Sequence, residues 1–532
     1  MNTFDKNYWS LYLNFLKDFK ELTYRGFSIP YFSIFPKLVN TSKKQWNNLL
    51  FDKKLAQQLN NQVNDLQEIQ KEFSKFVQRH TKKSLVKNKQ GKVVLHVDGH
   101  LRFPKETFKN YFDPTRTLLI SAVKGNPSNK RLTSKKKAIV KSLTNTITVR
   151  GNSHKNRNIT PNTRIKHVPS VIEMIGIDHL PVDYLPNYSV DTKKAAQQLQ
   201  NKAKSILKSY NKHPLYGEEY FQRALLSHIP QIINWIEEAK NFLDKVSVSC
   251  LVISSPHSLN RVLALAAAEK GIPTISMQHG LIGKTYIPKI ATIDAVYGNF
   301  EKDWYIKMGV PEESLEVIGH PKFDQLITRT PMSRSKFYKR LGLDASKKTL
   351  LVTVREQYDM EEWKLLIKTI SDKYSLNILI RDYPGRETNT LSKEFPFVID
   401  TKNYNLHLYD ILPNVNAVVS YPSTVCLEAM LANKPAFILN KEFLNEVDYR
   451  NGSLPVNLSC IRSPHFIGYF NVLDKMVQDD PRKLGQLIID YFKDPRWENY
   501  AKKKREKFLP YAYPVNKRSG KRLIDLINKL TI

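Results

Sequence analysis

Parallel α/β sheets are the fold class this sequence predicts, on three observations. Short unbroken apolar runs, such as residues 249–254 and 349–354, suit strands buried on both faces. Helical stretches separate such runs, as in residues 259–270, which are rich in Ala and Leu and are stopped by Gly271. Polar or glycine residues follow each run: Ser255-Pro256-His257, Gln278-His279-Gly280, Tyr297-Gly298-Asn299 and Ser420-Tyr421-Pro422. In sheets of this grammar, ligands bind in the crevice beyond the C-terminal ends of the strands. At 532 residues and 41% hydrophobic content, the chain is too long for one core and should hold two or three domains.

Residues 1–91 read as a helical N-terminal region outside any sheet. Tyr12, Phe15, Leu16 and Phe19 share a face at helical spacing. Tyr24, Phe27, Tyr31, Phe32 and Phe35 follow, interleaved with Arg25 and Lys37 and broken by Pro30 and Pro36. Two readings fit: an arm that packs on its own domain or on a second copy, which is favoured, or an interfacial membrane anchor. From residue 46 to 76, Leu55, Leu59, Val63, Leu66, Ile69, Phe73 and Phe76 step by three or four, which predicts one long amphipathic helix or a helical hairpin.

A first domain is expected over residues 92–328. Its strands begin at 92–97 and 117–121, with a helix near 105–111 between them. Residues 181–191 read as an irregular crossing segment, and helices at 193–210 and 220–245 lead into the strand at 249–254. Shorter strands follow at 273–277 and 291–296. A polar, basic passage at 329–348 opens a second domain, expected over 329–510, with strands at 349–354, 376–381, 415–420 and 435–439. A last helix at 520–530 falls within a separate C-terminal segment, 511–532.

The formal charge of +33, from 83 Lys and Arg against 50 Asp and Glu, attracts polyanions: nucleic acid, anionic lipid or a phosphate-rich polymer. Basic clusters lie at Lys130 to Lys137, Arg150 to Lys166 and Lys502 to Lys507, and runs of this kind also serve as plain solvated surface. They are scattered and accompany no nucleic-acid-binding motif, so nucleic acid is not the expected partner. Three cysteines, Cys250, Cys426 and Cys460, are odd in number and two lie inside expected core elements, which suits a reduced cytoplasm and excludes a disulfide framework. With no apolar signal core and no run of ~18 apolar residues, the expected location is the cytoplasm, with a peripheral place on the inner membrane face open.

The clearest candidate site is Ser420-Tyr421-Pro422-Ser423-Thr424, where a strand ends and a helix begins. Free backbone N–H groups and the positive end of that helix suit a phosphate, and Ser423 and Thr424 equally suit plain helix caps. Glu428 lies one turn in. Thr353 and Arg355 end another strand, and Arg381 and Arg386 bracket Tyr383-Pro384-Gly385; arginine's planar fork matches phosphate oxygens. In the first domain, Gln278, His279 and Gly280 should line the opposite wall. His279 is able to act near neutral pH. Asp98-Gly99 stands at a strand end, where it supplies either a catalytic acid or only turn geometry. No His, Cys, Asp and Glu cluster has metal-ligand spacing.

Gln278-His279-Gly280, Tyr297-Gly298 and Gly319-His320-Pro321-Lys322-Phe323-Asp324, in this order, resemble bacterial surface-polysaccharide glycosyltransferases of the GT-B architecture. These include capsule transferases, the CDP-glycerol glycerophosphotransferases of teichoic acid synthesis and, more distantly, nucleotide-sugar 2-epimerases. The resemblance runs from about residue 249 to 530. It implies two Rossmann-like domains facing a central cleft, with an N-terminal helical extension and a terminal helix crossing back to the first domain. It further implies a metal-independent enzyme without cofactor that moves a sugar from a CMP-, CDP- or UDP-linked donor to a glycan or lipid-linked acceptor. On that resemblance Glu428 holds the donor ribose. Gly319 and His320 approach its diphosphate with Thr353, Arg355, Arg381, Ser423 and Thr424, and His279 or Asp98 is the base. Asp98-Gly99 is similar to the acid–glycine motif of bacterial sialyltransferases, although Val97 stands where they carry a further acid. A second departure is Tyr383 before Pro384, where the family often has His. Glycerophosphate transfer, a non-catalytic assembly subunit and nucleic-acid binding are the alternatives.

Overall fold

Two parallel sheets organise the chain, in a computed structural model that describes all residues except 34, 36–37, 39–48, 60–61, 83–84, 86–87, 124–176, 178, 255–257, 355–359, 383–388, 441–464, 515–517 and 532. A small antiparallel hairpin, β1 (Thr23–Tyr24) and β2 (Phe27–Ser28), precedes them. The first sheet contains β3 (Lys92–His96), β4 (Thr117–Ser121), β5 (Val182–Tyr184), β6 (Val248–Ile253), β7 (Thr274–Met277), β8 (Ile293–Val296) and β9 (Leu315–Val317). Its order is β5-β4-β3-β6-β7-β8-β9, and every pair is parallel. The second contains β10 (Thr349–Val354), β11 (Asn377–Asp382), β12 (Val398–Asp400), β13 (Ala417–Ser420), β14 (Ala436–Leu439) and β15 (Val477–Gln478), in the order β12-β11-β10-β13-β14-β15.

Both sheets are doubly wound. Strand order reverses between β3 and β6 in the first and between β10 and β13 in the second, and each reversal opens a crevice at the C-terminal strand ends. Strict alternation along the buried strands feeds two layers. Leu251 and Ile253 face the helices Glu219–Lys245 and Ser258–Glu269, while Cys250 and Val252 face the other side. That other side is closed by Phe103, Phe108 and Phe112 and by Leu523, Leu526 and Ile527 of the last helix, Ser519–Thr531. The chain therefore returns to its first sheet after completing the second.

The N-terminal aromatics are core, which removes the membrane-anchor alternative. Tyr12, Phe15, Leu16, Phe19, Tyr31, Phe32 and Phe35 are all buried in one cluster with the helices Glu219–Lys245 and Ser258–Glu269. Two buried cations fix them there. The Arg261 guanidinium donates to the Tyr12 hydroxyl at 2.8 Å and to the Tyr31 carbonyl at 3.0 Å. Lys284 pairs with Asp5 and lies over the Phe4 ring, 4.3 Å from its centroid. Aromatic residues here pack around buried cations.

The long helix expected from 46 to 76 does not form in the described residues. Short pieces stand there instead: Leu55–Gln58, a 3-10 turn Leu66–Glu68 and Ile69–Ser74. The Asn- and Asp-rich sequence between them explains the breaks, since such side chains bond the backbone locally. Asp65 does so by accepting from the Gln67 N–H at 3.0 Å. The clusters at Lys130 to Lys137 and Arg150 to Lys166, and Cys460, lie outside the described residues. Among the described residues no helix is long and apolar enough to cross a membrane.

Replacing Asp5 by Ala should cost roughly 3–5 kcal/mol, because Lys284 would remain buried without its anion. Urea unfolding followed by fluorescence tests this, and a loss under about 1 kcal/mol would show that the pair does not hold the arm.

Candidate active site

At the first switch point the ends of β3 and β6 are bridged through Asp98. Its Oδ1 accepts from the backbone N–H groups of His100 (2.9 Å) and Leu101 (3.0 Å) and from the Ser254 hydroxyl (2.5 Å). Its Oδ2 lies 3.4 Å from His100 Nδ1 and 3.5 Å from Asn260 Nδ2. Burial pushes the Asp98 carboxyl up, but the His100 contact, the neighbouring His96 imidazole and the Ser254 hydroxyl outweigh it and hold the group well below the usual carboxylate range. An acid so held is a weak base. His96, beneath it, bonds Asn260 Oδ1 at 2.6 Å, and burial lowers its pKa.

The next loop brings in His279. Its Nδ1 is 3.0 Å from the Tyr286 hydroxyl, and its ring stands edge-on to His100 with centroids 4.7 Å apart. Gln278 is buried and acts as a brace. It accepts from the Tyr297 N–H (2.9 Å) and donates to the Gly280 carbonyl (2.7 Å) and to Glu301 (3.2 Å). A Cβ on Gly280 would meet nothing within 4 Å, so this loop borders open space. Burial pushes the Glu301 carboxyl up to about 8, against hydrogen bonds from Gln278 and from the Gly298 N–H.

The second switch point carries a run of hydroxyls. Thr353 donates to Ser420 at 2.5 Å, and Ser420 lies 3.2 Å from Ser423, whose oxygen accepts from the Val425 N–H and caps the helix Thr424–Leu431. The N-terminal turn of that helix follows directly from β13 through residues 421–423. Arg381 is half-buried and donates to the Leu406 carbonyl at 3.0 Å; desolvation lowers its pKa against the attraction of Glu428. Arg355, Arg386 and the Tyr383-Pro384-Gly385 turn lie outside the described residues, as does the Ser255-Pro256-His257 turn.

Between the two crevices runs the crossing segment 318–324. Gly319 adopts φ +75°, and a Cβ there would sit 2.5 Å from the Ser519 hydroxyl and 2.6 Å from the Tyr513 ring. The glycine thus serves the close passage of the C-terminal segment. His320 is buried among Phe103, Tyr297 and Phe323; its Nδ1 accepts from the Lys322 N–H at 3.1 Å. Burial, then the charges of Lys322 and Arg102, keep its pKa well below the ordinary histidine value. Glu428 is also buried, and Lys322 Nζ meets it at 2.8 Å. The Tyr409 hydroxyl bonds Glu428 and lies 3.3 Å from the Lys322 carbonyl. A carboxylate has about four lone-pair positions, so Lys322 and Tyr409 leave Glu428 able to accept further hydroxyls.

Two doubly wound parallel sheets, with a last helix that returns to pack on the first, decide the architecture. The chain has the GT-B fold. No family model matches the sequence. A lipid-A-disaccharide synthase of Nitrosococcus oceani is 23% identical over 325 residues, 58% of this chain and 80% of that protein. Among solved structures, a variant of the wall teichoic acid polymerase TagF is 13% identical, with 92% of this chain and 97% of that chain covered and a TM-score of 0.42. S. aureus MnaA with UDP is 11% identical over 83% of this chain and 98% of that chain, at a TM-score of 0.45. Anabaena HepE with UDP and glucose is 10% identical over 82% and 100%, at 0.44.

Sequence reasoning passed over His100, Ser254, Lys322, Tyr286 and Tyr409. Lys322 stands inside the Gly319–Asp324 motif and His100 directly follows Asp98-Gly99, so strand-end position was the available signal. Tyr409 carries no local signal. Among the described residues, no group of three or more His, Cys, Asp or Glu side chains is placed to hold a metal ion.

The Lys322–Glu428 pair should behave as a coupled unit. A double-mutant cycle of Lys322→Met and Glu428→Gln is expected to give about 1–3 kcal/mol of coupling in unfolding free energy, and strict additivity would show the pair to be unformed.

Proposed function

We propose that this chain is a glycosyltransferase that moves a sugar from a nucleotide-activated donor to a hydroxyl-bearing acceptor. The observation that carries the reading is the second switch point. A hydroxyl run, a capped helix N-terminus, Arg381 and the buried carboxylate Glu428 converge there beyond the ends of β10 and β13. Backbone N–H groups and the positive helix end suit the donor's diphosphate, and Glu428 suits the ribose diol. Ser423, Thr424 and Thr353 contribute hydroxyls, with Arg355 following Thr353 in the sequence.

On this reading the first domain presents the acceptor, with His279 and the Asp98 turn at the opposing crevice and Gly280 beside open space. Buried His320 then shapes the junction from within, and its lowered pKa makes it a neutral hydrogen-bonding group. The leaving diphosphate is stabilised by the helix end and basic side chains, which requires no metal. The similarity to a lipid-A-disaccharide synthase supports sugar transfer and is compatible with a lipid-linked acceptor. Exposed Lys502, Lys503 and Lys507 on the helix Pro495–Ala512 add to a charge of +33 that favours an anionic acceptor or membrane surface.

A thermal-shift series with CMP, CDP, UDP, GDP and ADP tests the donor site. A nucleotide at a hundred times its dissociation constant should add about 2.7 kcal/mol of stability. Glu428→Ala should remove ~1.5–3 kcal/mol of that nucleotide's binding free energy. Stabilisation by CDP alone would point to glycerophosphate transfer instead, and no stabilisation by any nucleotide would overturn the reading.

A further inference from the structure

Building on the transfer reaction proposed above, we propose that His407 is a specificity-determining residue of the nucleotide site. Its Nε2–H reads a hydrogen-bond acceptor, a carbonyl oxygen or ring nitrogen, on the base of the donor. The first ground is the setting of the ring. His407 Nδ1 accepts from the Tyr409 N–H at 3.2 Å, at the start of the short helix Leu408–Ile411. A ring nitrogen that accepts carries no proton, so in the neutral ring the proton sits on Nε2. Among the described residues nothing is bonded to that Nε2, and the residue is exposed. The turn thus presents to solvent a donor of fixed polarity.

Position is the second ground. The loop that carries His407 follows β12 and is tied twice to the neighbouring β11. Thr401 donates to the Ile380 carbonyl at 2.9 Å, and Arg381 donates to the Leu406 carbonyl at 3.0 Å. Arg381, Thr353 and Ser420 stand side by side in the register of β11, β10 and β13. The loop therefore lies beside the hydroxyl run, displaced from it toward β12. There the His407 ring is inclined to the Tyr409 ring with centroids 5.1 Å apart, and the Tyr409 hydroxyl bonds Glu428. A nucleoside diphosphate runs from diphosphate through ribose to base. With the diphosphate at the helix start and the ribose on Glu428, the base is the part left to reach past Glu428 toward Tyr409 and His407.

Charge is the third. The charged groups facing His407 are Arg329, Arg381, Asp410 and Glu428. Both carboxylates are taken, Asp410 by Arg329 at 2.7 Å and Glu428 by Lys322 at 2.8 Å. Burial, then the charges of Arg329 and Arg381, lower the His407 pKa against Asp410 and Glu428. The ring is therefore neutral near neutral pH and suits an uncharged acceptor, whereas a phosphate is better matched by a cation. A fixed donor also discriminates, because an amino group placed opposite it would leave two donors face to face.

His407→Asn tests the assignment, since Asn keeps a side-chain oxygen for the Tyr409 N–H but is too short to replace Nε2. Calorimetric titration of the full chain with UDP, CDP, GDP and ADP is the measurement. The wild type should separate the four nucleotides by base. His407→Asn should weaken the tightest of them about 3–10-fold and narrow the gap to the weakest, with the Tm of the free protein unchanged. Nitrogen NMR of the histidine-labelled chain should show the neutral His407 ring protonated on Nε2, with that resonance shifting when the tightest nucleotide is added. Four nucleotides bound alike by the wild type, or a proton on Nδ1, would overturn the proposal and leave sugar transfer standing. So would a His407→Asn chain with unchanged affinities, or with a loss shared equally by all four nucleotides, the mark of a phosphate or ribose contact. A wild type that binds none of the four overturns the transfer reading itself, and the role of His407 falls with it.

Discussion

One carboxylate at the domain junction receives two backbone amides that would otherwise be left without partners. Asp324 accepts from the N–H groups of Ser519 and Gly520, both at 2.9 Å, at the start of the last helix. The first amides of any helix lack partners inside it, so a buried helix start needs such an acceptor. Here the acceptor comes from the segment that crosses between the domains. The cap therefore fixes where the chain returns, and the rest of the junction conforms to it. Gly319 has no side chain because Tyr513 and Ser519 occupy that space. The Tyr513 hydroxyl accepts from the His320 N–H at 3.1 Å and lies 2.7 Å from the Ser519 hydroxyl. Lys322 then reaches into the second domain to Glu428. Six consecutive residues thus tie the first sheet, the second domain and the C-terminal helix together.

That dependence separates what the sequence made legible from what it did not. Strands buried on both faces announce themselves, and β3, β6, β7, β10, β13 and β14 all lie within apolar runs. The outer strands β5, β9, β12 and β15 are two or three residues long and largely half-buried, so no apolar run marks them. β5 falls inside a Pro- and Tyr-rich stretch that reads as irregular. Helical spacing misled once, between residues 46 and 76, where the apolar step is right but Asn and Asp side chains compete for the backbone.

The candidate site was legible as a set of strand ends and illegible as a set of contacts. Ser423 caps its helix, and Thr353, Ser420 and Ser423 form one hydroxyl run, because position beyond β10 and β13 suffices to bring them together. Glu428 was expected to hold the donor ribose, and it is buried with Lys322 and Tyr409 as its partners. Both partners are distant in sequence, and pairing across a junction leaves no local trace. Gly319 illustrates the same point from the other side. A glycine near a donor site suggests close approach of a ligand, but what approaches here is the chain's own C-terminal segment.

Burial also decides how the polar residues divide between holding the structure and doing chemistry. Arg261 and Lys284 are fully enclosed, and each spends its charge on the N-terminal arm. Their enclosure makes the arm part of the first domain, and the arm in turn supports the loop bearing His279, because Lys284 and Tyr286 sit in one turn. Gln278 is spent entirely on internal hydrogen bonds, as is Glu301, whose raised pKa reflects desolvation that its hydrogen-bond donors do not offset. His320 is desolvated to the point of neutrality. Half-buried polar side chains at the two switch points include His100 and His279 at the first and Ser423, Thr424 and Arg381 at the second. A fold that commits its deepest charges to holding the loops keeps its shallower polar groups at the strand ends, where ligands of such sheets bind.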